Sequence, residues 1–128
     1  MYGAEGLCLI WAINNAYKRK ILDKDMVIAQ LRQMDRQNPR HTLKYYIGKD
    51  GIDFRSFKKL MKDSYGIKLT KVSNYSNKGK YLLTYDFGSY LHTVAMTNGE
   101  VIDSRKQKEI TTPTPNVPLY DVYKITAA

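Results

Sequence analysis

The spacing of apolar positions divides the chain into a helical first half and a strand-rich second half. Leu7, Ile10, Trp11, Asn14 and Tyr17 recur at helical intervals and predict a helix over 7–19. Lys18, Arg19 and Lys20 close it, with cations at the negative end of its dipole. Asp23 is placed to cap a second helix, with Leu22 and Val27 as a hydrophobic staple. Val27, Ile28, Leu31 and Met34 form its apolar stripe, and Asn38-Pro39 ends it. A connection over 39–51 follows, with a short extended piece at 43–47. A third helix over 53–65 buries Phe54, Phe57, Leu60 and Met61 and stops at Gly66.

Strands are expected at 67–72, 80–85, 91–97, 100–103 and 120–125. The proline-rich stretch 112–118 is expected to be an extended loop without ladder pairing. Helices first and strands last indicate an α+β fold with an antiparallel sheet. The 128 residues fit one domain, residues 1–128. The chain shows no internal repeat.

Asn98-Gly99 marks a two-residue hairpin. That turn pairs Thr97 with Glu100, Met96 with Val101, Ala95 with Ile102 and Val94 with Asp103. Strand parity then sets His92, Val94, Met96, Val101 and Asp103 on one face. His92 and Asp103 become diagonal neighbours, roughly 7 Å apart at their β-carbons.

This juxtaposition gives the only cysteine, Cys8, a chemical context. Cys8 opens the first helix, where a thiolate gains from the helix dipole and from a nearby imidazolium. A thiol, an imidazole and a carboxylate in this order make nucleophilic acyl chemistry the leading expectation, with catalytic residues Cys8, His92 and Asp103. The main-chain N–H of Cys8 is the expected oxyanion donor, supported by the loop at Glu5 and Gly6. Trp11, Tyr90 and Met96 are groove candidates, with Trp11 also suited to core packing. Asn14 and Asn15 are expected to bond neighbouring main chain, and His41 to be exposed. The scheme needs no metal or cofactor.

Composition adds three constraints. One cysteine allows no internal disulfide and suits a reducing compartment. No apolar run approaches the ~18 residues of a membrane span, and the start lacks a signal-peptide pattern. A cytoplasmic protein without a membrane partner is the expectation. The net charge of +9, spread along the chain, suits anionic partners and leaves nucleic acid open as one.

The same residues resemble the papain-like cysteine peptidase superfamily, in which a cysteine opens a helix and the histidine and aspartate sit on strands. Glu5-Gly6-Leu7-Cys8-Leu9 is similar to the Asp-Gly-Asn-Cys-Leu motif of ovarian tumour (OTU) deubiquitinases, with Glu5 at the acidic position. Cys8 with Asn14-Asn15, and Gly51-Ile52-Asp53-Phe54 leading into a helix, are similar to Josephin deubiquitinases. The chain lacks the glutamine upstream of the cysteine and is shorter than typical members, as a viral, phage or effector form would be. The resemblance implies a papain-like fold and hydrolysis of a peptide or isopeptide bond. It implies ubiquitin, a ubiquitin-like modifier or a viral polyprotein as substrate, in the host cytoplasm if the protein is viral. Acyl transfer of the transglutaminase kind uses the same groups. A basic binding module on the same fold, its chemistry weak or lost, is the alternative from a different class.

Overall fold

The computed structural model describes residues 7–37, 54–86, 91–102, 109–110 and 118–128. Three helices come first: α1 (Cys8–Tyr17), α2 (Lys24–Gln37) and α3 (Phe54–Tyr65). The strands follow: β1 (Ile67–Val72), β2 (Lys80–Asp86), β3 (Leu91–Thr97), β4 (Glu100–Ile102), β5 (Glu109–Ile110) and β6 (Leu119–Ala127). They form one sheet in the order β1-β6-β2-β3-β4-β5, with every neighbouring pair antiparallel. The fold is α+β, with helices packed on the sheet.

Local chemistry sets the helix ends. The Asp23 carboxylate accepts the Met26 N–H at 3.0 Å, as an N-cap should, while Leu22 and Val27 are both fully buried. Gly66 takes φ +65° after α3, a conformation that costs a glycine little. α1 is shorter than its periodicity suggested, because Lys18 turns left-handed at φ 56°. The N–H groups of Lys18 and Arg19 then return to the carbonyls of Asn15 and Asn14.

The sheet has an apolar layer on each face. Leu9, Ile10, Ile13, Leu22, Leu31 and Phe57 belong to the layer between helices and sheet. Tyr81, Leu83, Tyr85, Val94, Met96, Val101 and Val122 form a second cluster, all at 5% exposure or less. β2 lies inside both layers, so its residues from Tyr81 to Tyr85 are all buried and show no polar alternation.

α1 lies across β3 and touches β2 and β4; α3 packs on β1, and α2 on α3. Two contacts fix α1 along β3. Cys8 hydrogen-bonds Thr93, and the Thr97 hydroxyl donates to the Ala16 carbonyl at 2.8 Å. Helix and strand therefore run in the same direction. Eight helical steps cover about 12 Å and four strand steps about 13 Å, so both contacts form without bending either element.

The hairpin register matches its expectation at Thr97↔Glu100, Met96↔Val101 and Ala95↔Ile102. Asn98 and Gly99 hold positive φ, as a type I′ turn requires. The expected Val94–Asp103 pair, the 39–51 connection and 112–117 of the expected loop lie outside the described residues. β5 was absent from the expected elements; two residues carry no periodicity.

Candidate active site

The first turn of α1 delivers Cys8 to β3. Its thiol is 7% exposed and hydrogen-bonds both the main chain and the side chain of Thr93. Thr93 in turn shares a 2.8 Å hydrogen bond with the Thr84 hydroxyl on β2. Two threonines thus supply the polar floor beneath the sulfur on an otherwise apolar sheet face. The main-chain amides of Cys8 and Leu9 also reach the sulfur, as the start of a helix allows.

Burial nevertheless dominates the thiol's proton affinity. Desolvation pushes the Cys8 pKa up, and the hydrogen bonds from Thr93, Leu9 and Cys8 itself only partly offset it. The amides at the helix start favour the thiolate as expected, but burial outweighs them. In the resting protein the sulfur is held as a thiol, because an enclosed site disfavours its anion more than the helix start favours it.

His92 occupies the residue next to Thr93. The register pairs it with Tyr85, and strand parity assigns it to the face of Val94 and Met96. Thr93 turns toward α1 instead. The fold thus brings the backbone of His92 beside the sulfur, while parity starts its ring toward the other face. The β3–β4 register extends only to Ala95↔Ile102 among the described residues, so β3 has a described neighbour at His92 only on the β2 side.

Asp103, Glu5, Gly6, Tyr90 and His41 lie outside the described residues. Met96 does not line a groove; it is 4% exposed within the second apolar cluster. That corrects its assignment, which followed from its sharing a strand face with His92. Trp11 is half-buried and lines a cleft of about 340 Å³ with Asn14, Asn15, Lys18 and Ile102. Asn14 behaves as expected. Its amide oxygen accepts the Ile21 and Leu22 N–H groups at 2.9 and 2.8 Å, and its nitrogen donates to the Leu22 carbonyl at 3.0 Å. It serves as a substitute strand for the turn between α1 and α2.

Thr93 is the site residue that the sequence reading missed. Its signal was a hydroxyl on the inner face of a strand, opposite a second threonine. Among the described residues no group of three or more histidine, cysteine or acidic side chains could hold a metal, and no helix is long and apolar enough to cross a membrane. No protein-family model, curated protein or solved structure matches the chain.

Proposed function

We propose that the protein is a papain-like thiol hydrolase that cleaves a peptide or isopeptide bond through a thioester on Cys8. One observation carries this reading: the Cys8 sulfur, at the start of α1, hydrogen-bonds the residue that immediately follows His92. On this reading the imidazole, which strand parity starts toward the other face, has to turn around the outer side of β3 to meet the sulfur. His92 takes the thiol proton as sulfur attacks the carbonyl carbon, then gives that proton to the leaving amine. Water resolves the thioester and releases the carboxylic acid. Asp103 orients the ring, and the amide of Cys8 donates to the oxyanion. A protonated resting thiol suits this order, with proton transfer accompanying attack.

The substrate classes are ubiquitin, a ubiquitin-like modifier, or a longer precursor of the protein itself. The test uses ubiquitin and ubiquitin-like proteins ending in a thiol-reactive electrophile. Wild-type protein is expected to form a covalent adduct at Cys8, and His92→Ala to slow it by roughly 10²-fold or more. Equal rates in both proteins would overturn the proposal.

A second reading is favoured by the burial of the sulfur: a module that keeps the architecture without the chemistry. On that reading no electrophile reacts faster with wild type than with His92→Ala, and Cys8→Ala leaves anionic-partner binding intact.

A further inference from the structure

A groove of about 460 Å³ separates α3 from β1, far along the sheet from Cys8. Arg55, Lys58, Lys59 and Lys62 contribute from α3, and Lys68 and Lys71 from β1. All six are exposed. Asp63 is the one carboxylate among the described lining residues, and it is engaged with Lys59 at 2.8 Å. The four α3 cations recur at intervals of three and four residues, which gathers them on one helix face. Lys58 is held over the Tyr123 ring, 5.8 Å from its centroid.

The floor of the groove is a sheet edge that no described strand covers. β1 pairs with β6 and has no other neighbour among the described strands. The Gly66 carbonyl accepts the Ala128 N–H at 2.9 Å, one pair beyond Ile67↔Ala127. Antiparallel ladders alternate, so Lys68 and Thr70 bond toward β6, while Leu69 and Lys71 direct their N–H and C=O groups outward. Lys68 and Lys71 lie on opposite strand faces and flank that edge from both sides.

Edge lysines often serve only to discourage unwanted pairing. That accounts for Lys68 and Lys71 but leaves the cationic stripe of α3 without a reason. A nucleic-acid strand would want aromatic platforms, and among the described residues no aromatic ring lines this groove. Outward main-chain groups between two rows of cations match an extended acidic peptide, whose backbone extends the sheet while its carboxylates meet the lysines.

We infer that the α3–β1 groove docks an acidic segment of a partner protein as an added strand on β1. This is independent of any chemistry at Cys8. The test is fluorescence anisotropy of the full chain with a labelled peptide alternating glutamate and threonine. A matched peptide carries N-methyl groups on every second amide, and oligothymidylate of equal charge is the third probe. The unmodified peptide is expected to bind best. The Lys58→Glu, Lys62→Glu double variant, with an unchanged circular dichroism spectrum, and the N-methylated peptide are each expected to lose roughly tenfold or more. Equal binding of the methylated peptide would show unspecific charge attraction and overturn the inference. Tighter binding of oligothymidylate, lost in the double variant, would overturn it in favour of nucleic acid, and absence of peptide binding would also end it.

Discussion

α1 and α3 are both short helices laid on the same sheet, yet they meet water in opposite ways. α1 buries eight of its ten residues, Cys8 and two asparagines among them, over the middle of the sheet. α3 buries only Ser56, Phe57, Leu60 and Met61, over the edge strand, and turns its cations outward. The same dielectric argument then runs both ways. Above β3 the enclosing layer raises the proton affinity of a thiol, so burial favours its neutral form. Along β1 the lysines remain hydrated, so their field reaches outward and a partner must supply the counter-charge.

Substitutions separate these environments, and the largest effect belongs to the packing that holds α3 in place. Phe57 is fully buried, so Phe57→Ala is expected to cost about 3–5 kcal/mol in urea unfolding. Lys62→Ala, on the solvent side of the same helix, should leave the midpoint nearly unchanged. An equal loss from both would erase the contrast between the faces of α3.

Asn14→Leu comes next, at about 3 kcal/mol, because it strands the buried N–H and C=O of Leu22. Thermal unfolding that matches wild type would mean the turn from α1 to α2 holds without Asn14.

Thr93→Val removes one hydroxyl from the sulfur and from Thr84, an expected loss of about 1–2 kcal/mol. Because that hydroxyl lowers the thiol's pKa, its removal should move the alkaline rise of iodoacetamide labelling to higher pH. A move to lower pH would show that the contact stabilises the thiol form instead.

Tyr85→Phe has the smallest effect at neutral pH. The buried Tyr85 hydroxyl finds no hydrogen-bond partner among the described residues, so its loss should be neutral or stabilising by roughly 1 kcal/mol. Burial pushes the phenol's pKa up to about 12. Between the unfolded value of about 10 and that folded value, the unfolded chain releases a proton that the native state retains. Stability is therefore full below about pH 10 and declines as pH rises through 12, where Tyr85→Phe should hold its structure better. An identical alkaline limb in the two proteins would contradict this assignment.

Much of the architecture was legible in short-range pattern. The Asp23 cap, the Gly66 stop and the Asn98-Gly99 turn each act within a few residues, so their chemistry survives any tertiary context. The hairpin register followed from the turn alone. What eluded the pattern was which side of β3 would carry α1. Parity grouped His92 with Met96 correctly, but it could not say that the helix would settle on the Thr93 side or that Met96 would be sealed in a second apolar layer. The basic groove was hidden for a similar reason. Its cations are dispersed between positions 55 and 71 and form no continuous run.

By itself, the order of residues determined the α+β class, the helix caps, the type I′ turn and the placement of the lone thiol at a helix start. Those features depend on backbone preferences and spacings of a few residues. Tertiary structure alone decided how deeply the thiol is buried, that Thr93 contacts it, and that six dispersed cations line one groove. Desolvation and collective charge depend on everything that surrounds a group, and neighbours distant in sequence become known only once the chain has folded.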